Sequence, residues 1–161
     1  MANSTKVKSL DALACLIKEL KAAGQRIVLS HGVFDLLHMG HIRHLEQAKA
    51  MGDVLVVTIT RDEHVNKGPH RPACPQHLRA EALAALSVVD YVAVNRWPMA
   101  SETIRLLEPN LYVKGQDYRN PEEDITSGIV TEAEAVHSVG GTVAFTDDIT
   151  FSSSTLLNRH F

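Results

Sequence analysis

Two histidines three residues apart, His38 and His41, are the side chains best placed to do chemistry, in the run Ser30-His31-Gly32-Val33-Phe34-Asp35-Leu36-Leu37-His38-Met39-Gly40-His41. On a helix, side chains at i and i+3 share a face, so both imidazoles can donate to one anion. The run stands where an apolar segment, residues 26–30, passes through glycine into a helical pattern that starts near Gly40. A helix start adds unpaired backbone N–H groups and a partial positive charge, which suits such a junction to phosphate. Taken alone, the pair is equally compatible with two partly exposed loop histidines, so its setting has to decide.

Other chemistries fit less well. His38, His41 and His44 resemble a metal ladder, but the third side chain at i+6 points well round from the first, and His-Glu-x-x-His is absent. Cys15 and Cys74 lie far apart with no pairing motif, and no serine or cysteine sits in a Gly-x-Ser-x-Gly elbow. Neither Gly-x-Gly-x-x-Gly nor a P-loop follows the first apolar strand, and no carboxylate pair for glycoside hydrolysis is discernible. What remains is a set of phosphate-binding groups: backbone amides around Val33 and Phe34, the two histidines, Lys67 in a loop, Arg79 at a helix start, and Ser152, Ser153 and Ser154 at another. They suit phosphoryl or nucleotidyl transfer, in which the protein mainly holds charge on phosphate oxygens in line. Singly, Lys67 and Arg79 would be surface charges, the serines a helix cap and Asp117 a turn former.

The elements that must position these groups alternate. Ser9 caps a helix with Leu10, Leu13, Ile17 and Leu20 on one face and Gly24 as its stop. A strand at 27–30, a helix at 40–51 and a β-branched strand at 54–60 then form a parallel crossover unit. Residues 61–75 form a polar loop whose prolines and glycine prevent a long helix. Beyond it the spacing predicts a helix at 76–87, a strand at 88–94, a helix at 100–107 and a strand at 111–114. A turn at 115–118, irregular chain to Gly128, a helix at 129–139, a strand at 142–146 and a short final helix complete the pattern. Five strands alternating with helices, apolar enough to be covered on both faces, predict an α/β fold with a doubly wound, five-stranded parallel sheet of Rossmann-like type. In such sheets ligands bind beyond the carboxyl ends of the strands, where the turn carrying His38 and His41 falls.

The chain has 161 residues, 45% of them hydrophobic, which is enough for one core, so a single domain over 1–161 is expected. A net charge of -3 gives no basic field for nucleic acid, and no apolar run approaches a membrane span or a signal peptide. Two cysteines without a pairing pattern fit a reducing cytoplasm.

Gly32-Val33-Phe34-Asp35 followed by His38-Met39-Gly40-His41 resembles the signature of the cytidylyltransferase-like nucleotidyltransferase family, whose Gly-x-Phe-Asp and His-x-Gly-His line the triphosphate. The likeness covers nearly the whole chain. Residues 34–57 are similar to glycerol-3-phosphate cytidylyltransferase, and Trp97 falls near a tryptophan of that group. The N-terminal helix, Lys67-Gly68 with Arg71-Pro72, and Val113-Lys114-Gly115-Gln116-Asp117-Tyr118 resemble heptose 1-phosphate adenylyltransferases. Cytidylyltransferase domains of phosphonate pathways belong to the same group.

The resemblance implies that His38 and His41 stabilise the α-phosphate and the leaving pyrophosphate, that Lys67 neutralises charge where α-phosphate and acceptor meet, and that Arg79 holds a phosphate. It puts Asp117 by the nucleoside or metal, and Ser152, Ser153 and Ser154 on the β- and γ-phosphates. The chain departs from the glycerol and choline type in carrying Asp147-Asp148-Ile149-Thr150-Phe151 where those enzymes have Arg-Thr-x-Gly.

The expectation is therefore a nucleotidyltransferase whose Mg²⁺ is carried by the triphosphate. CTP is the first choice and ATP the second. The acceptor would be glycerol phosphate, a sugar phosphate or a hydroxyalkylphosphonate. Relatives commonly dimerise, so a homodimer is expected, and the chain would stand alone or as one domain of a bifunctional protein. Class I aminoacyl-tRNA synthetases share the His-x-Gly-His turn but need a Lys-Met-Ser-Lys-Ser-like loop and far more chain. A non-catalytic nucleotide-binding module would keep the fold while losing His38, His41 or Lys67, and a flavodoxin-like protein would share only the fold class.

Overall fold

The computed structural model describes residues 5–116, 128–147 and 158–159. Helix α1 spans Leu10–Ala22, and Ser9 caps it by accepting the Ala12 N–H at 3.2 Å. Strand β1 (Ile27–Gly32), helix α2 (Met39–Ala50) and strand β2 (Val54–Ile59) follow, then a 3₁₀ turn at Asp62–His64 and helix α3 (Gln76–Ala84). Strand β3 (Tyr91–Val94), helix α4 (Ser101–Leu107), strand β4 (Leu111–Gly115), helix α5 (Gly128–Ser138) and strand β5 (Thr142–Thr146) complete the described elements.

All strand pairs are parallel and the sheet order is β3-β2-β1-β4-β5. From β1 the chain winds outward to β2 and β3, then returns to β4 and β5 on the other side, which is the doubly wound arrangement the apolar runs predict. Alternation along each strand sends Leu29, Val56 and Tyr112 to one face, where Leu13, Ile17, Ile104 and Val136 cover them. It sends Val28, Leu55, Val57 and Val113 to the other, against Leu45, Ala48 and Leu83. A fully buried leucine or isoleucine in either layer contributes roughly 1.5–3 kcal/mol. Gly52 makes the turn into β2, where a Cβ would meet Val28 Cγ2 at 2.6 Å and the Arg26 carbonyl at 2.9 Å.

Several boundaries differ from the sequence reading, and helix α3 ends at Ala84 rather than at 87. Strand β1 runs on to Gly32, and α2 starts at Met39 because His38 is its cap. Strand β3 starts at Tyr91 rather than at 88. The preceding residues turn instead, Val89 N–H donating to the Leu86 carbonyl, while the Asp90 carboxylate accepts Leu55 N–H at 2.7 Å and Lys49 Nζ at 2.6 Å. Residues 6–8 bridge to Val92 at the edge of β3, a short pairing that no periodicity announces. Of the short final helix expected after Ser154, only residues 158–159 are among the described residues, and they are helical. Among the described residues no helix is long and apolar enough to cross a membrane.

Candidate active site

The chain leaves β1 through a tight turn in which Phe34 has a φ of 50° and Asp35 is buried. It then enters α2 at His38, whose backbone is extended, with φ -140° and ψ 175°. His38 Nδ1 accepts the Gly40 N–H at 3.0 Å. A backbone N–H only donates, so the neutral ring carries its proton on Nε2, and the cap thereby fixes a donor at the helix start. His41 stacks on His38 with ring centroids 3.9 Å apart and 25° between planes, and lies 5.2 Å from the Phe34 ring. The two imidazoles are one unit at the amino end of α2, where the sequence reading put them.

Burial keeps the pair neutral. His41 is pushed down to about 4 by desolvation and by the neighbouring charges of His38, His44 and Lys67. Desolvation also lowers His38. Two further histidines hold the sheet side. His44 is bound at both nitrogens, 2.9 Å from Ser30 Oγ and 2.7 Å from Thr146 Oγ1, and burial with the Lys114 charge takes it down to about 4. His31 Nδ1 is 2.9 Å from Thr58 Oγ1 and its Nε2 is 3.4 Å from Thr60 Oγ1; burial and Lys114 take it to about 3.

These values fix a pH dependence. A folded value below the ordinary 6.5 means that the unfolded chain binds protons the folded chain refuses. The stabilising contribution is whole above about 6.5 and is lost as pH falls toward the folded values, at up to about 1.4 kcal/mol per pH unit for each ring. Urea midpoints measured from pH 7.5 to 4.5 are expected to fall steeply below 6.5. A flat profile would contradict neutral rings at His31, His41 and His44.

The loop of residues 61–75 is clasped to the turn. Asp35 Oδ2 accepts Arg71 Nε at 2.8 Å and Ala73 N–H at 2.9 Å, and Oδ1 accepts Cys74 N–H at 2.9 Å. Burial alone would raise this carboxyl, but the two amides and the Arg71 guanidinium outweigh it and hold it below the usual carboxylate value. Lys67 reaches the same region from the solvent-exposed part of the loop. Desolvation and the charges of Arg71 and Lys114 lower its ammonium, with Asp35 acting the other way.

Arg79 lies in the first turn of α3, as the sequence reading has it, and is buried. Its side chain is 0% exposed, with Nε bound to the Cys74 carbonyl at 2.9 Å, Nη1 to the Val33 carbonyl at 2.7 Å and Nη2 to Asp62 Oδ1 at 2.6 Å. A guanidinium spent on three protein oxygens braces the turn from beneath and presents no open face to a phosphate. The structure commits the Arg79 guanidinium to these three oxygens, one of them the carbonyl of Val33. Asp117, Ser152, Ser153 and Ser154 lie outside the described residues.

The sequence reading missed the Asp35–Arg71 clasp, the two hydroxyl-bound histidines and the pair Lys114–Glu132, whose atoms Nζ and Oε2 are 3.6 Å apart. Asp35 could have been found as a carboxylate in an otherwise apolar turn, and Lys114 as a charge at the carboxyl end of a central strand. Among the described residues no group of three or more His, Cys, Asp or Glu is placed to hold a metal. The carboxylate of the turn, Asp35, is committed to its clasp.

A model of the cytidylyltransferase-like family matches residues 29–159. Bifunctional protein HldE of Geotalea uraniireducens is 39% identical over 155 residues, covering 95% of this chain and 30% of that protein. Its counterpart in Geobacter sulfurreducens is 42% identical over 147 residues, covering 88% of this chain and 29% of that protein. The chain thus spans about 30% of the length of these relatives. A lipopolysaccharide core biosynthesis protein from Thermoplasma volcanium superposes with a TM-score of 0.62 at 26% identity, over 80% of this chain and all of that one. Pantoate-beta-alanine ligase from Francisella tularensis gives 0.65 at 16% identity, over 94% of this chain and 72% of that one, and shares the fold. With the family match spanning the strand, turn and helix that hold His38 and His41, the chain belongs to the cytidylyltransferase-like family.

Proposed function

We propose that this chain is a nucleotidyltransferase domain that moves AMP from ATP to the phosphate of a sugar 1-phosphate. An acceptor phosphate oxygen attacks the α-phosphorus, a new P–O bond forms, the bond to the bridging α–β oxygen breaks, and pyrophosphate leaves. The observation that carries nucleotidyl transfer is the stacked pair at the start of α2. His38, its Nδ1 occupied by Gly40 N–H, offers Nε2–H to an anion, and His41 lies 3.9 Å away between ring centroids. Donors fixed before the substrate arrives stabilise charge that develops in the transition state without reorganising. Desolvation and like charges lower the Lys67 ammonium, an environment that favours an entering anion, and a triphosphate carrying Mg²⁺ would supply one.

The choice of ATP departs from the expectation of CTP. It rests on kinship with the HldE proteins over up to 95% of the chain, together with the resemblance of Lys67-Gly68, Arg71-Pro72 and residues 113–118 to heptose 1-phosphate adenylyltransferases. This reading makes the chain the adenylyl-transferring part of an activity that the bifunctional relatives hold within a longer polypeptide, working in the cytoplasm. Cytidylyl transfer is the second reading, favoured by residues 34–57 and by the description of the family model.

A pyrophosphate-release matrix of four nucleoside triphosphates against glycerol 3-phosphate, heptose 1-phosphate, other sugar 1-phosphates and hydroxyalkylphosphonates, with Mg²⁺, tests both. Release with ATP and a sugar 1-phosphate is expected. Release with CTP alone moves the chain to the second reading, and triphosphate binding without release from any pair makes it a binding module.

A further inference from the structure

Nucleotidyl transfer as proposed leaves one charged side chain at the cleft without a task, Lys114 in β4. The sheet reverses its winding between β1 and β4, and ligands of such sheets sit above that point. Leu29 is level with Tyr112 across the two strands, so two residues further on His31 is level with Lys114 and on the same face. The Lys114 side chain is 11% exposed; its Nζ lies 5.6 Å from the Tyr112 ring centroid and 3.6 Å from Glu132 Oε2. Glu132 projects from α5, and its Oε2 is buried with no hydrogen bond among the described residues.

The Lys114 charge disfavours protonation at His31, at His44 and at Lys67, so its field reaches all three groups. Lys67 comes from the loop after β2 and Lys114 from the end of β4, so the two lysines lie on opposite sides of β1 at the carboxyl end of the sheet. An anion that enters between two fixed cations is attracted by both and lowers their mutual repulsion. We propose that Lys114 binds phosphoryl oxygens of the reacting pair across the cleft from Lys67, and that Glu132 is the positioning residue that holds its ammonium there. This rests on the nucleotidyl-transfer reading of the same cleft.

With the nucleotide and acceptor that the release matrix identifies, Lys114→Met is expected to lower kcat/KM roughly ten- to hundredfold, the scale for one charge-assisted hydrogen bond. Lys114→Arg should restore part of it, and Glu132→Gln should lower kcat by less. A rise confined to the nucleotide KM assigns the contact to the triphosphate, and one confined to the acceptor KM assigns it to the acceptor phosphate. Because Lys114→Met strands a buried carboxylate, the double variant Lys114→Met/Glu132→Gln is measured beside it and is expected to fold and show the same loss. A folded double variant with wild-type kcat/KM overturns the proposal. If the wild type releases no pyrophosphate from any pair, nucleotidyl transfer fails, and calorimetric titration with inorganic tripolyphosphate still decides the role of Lys114. Weaker binding to the double variant supports it; equal binding, or none to either protein, overturns it.

Discussion

His38→Ala and His41→Ala are each expected to lower kcat by roughly 10²- to 10³-fold, the scale for losing one preorganised donor to a developing oxyanion. The two variants differ in their side effects. His38 also caps α2 through Gly40 N–H, so alanine there removes about 1 kcal/mol of stability. His38→Asn separates the two roles, because its side-chain oxygen can accept the same N–H while nothing stands in for the Nε2 donor. It should unfold in urea like the wild type and turn over as slowly as His38→Ala. Pyrophosphate release at saturating substrate, read beside urea unfolding, checks all three, and near-normal turnover in either alanine variant would remove the histidines from the reaction.

Asp35→Ala has the largest expected effect on stability, about 3–5 kcal/mol, because it leaves the Arg71 guanidinium buried without its carboxylate. The two side chains are 1% and 6% exposed, so water does not take the place of the lost partner. Ala73 and Cys74 lose their acceptor in the same step. Against a total of roughly 5–15 kcal/mol for a domain of this kind, such a loss brings the protein close to unfolding at 37 °C. The double variant Asp35→Asn/Arg71→Met removes both charges and should recover much of the deficit, since the cost lies in the stranded ion rather than in the pair itself. Denaturant titration of both variants gives the two values directly. A deficit equal in both would mean that the carboxylate's amide contacts, not its ion pair, carry the effect.

The alternation of apolar runs made the parallel sheet legible, and Ser9 with Leu10, Leu13 and Ile17 made α1 legible, because burial on one face leaves a periodic trace. The stacked histidines were legible for a similar reason, since i and i+3 on a helix start leave few geometries open. Arg79 was not. A cation at a helix start reads as a ligand group until the chain is folded, and only then do the Val33 carbonyl, the Cys74 carbonyl and Asp62 come within reach. The same holds for Thr58 and Thr146, which look like ordinary strand residues but supply hydroxyls to His31 and His44 from partners 27 and 102 positions away. Hydrogen bonds between distant segments leave no periodicity, so side-chain roles fixed by them stay hidden in one sequence.

Helix α2 is held at its far side by the last strand. Thr146 Oγ1 meets His44 Nδ1 at 2.7 Å, and Gln47 exchanges two hydrogen bonds with the backbone of Asp147, at 3.0 and 3.1 Å. During synthesis, residues 38–50 leave the ribosome long before residue 147 does, so the helix bearing the histidines spends that interval without these anchors. Competence for substrate should accordingly appear late, once β5 has docked, and nascent chains stalled before residue 142 should carry the motif without its final geometry.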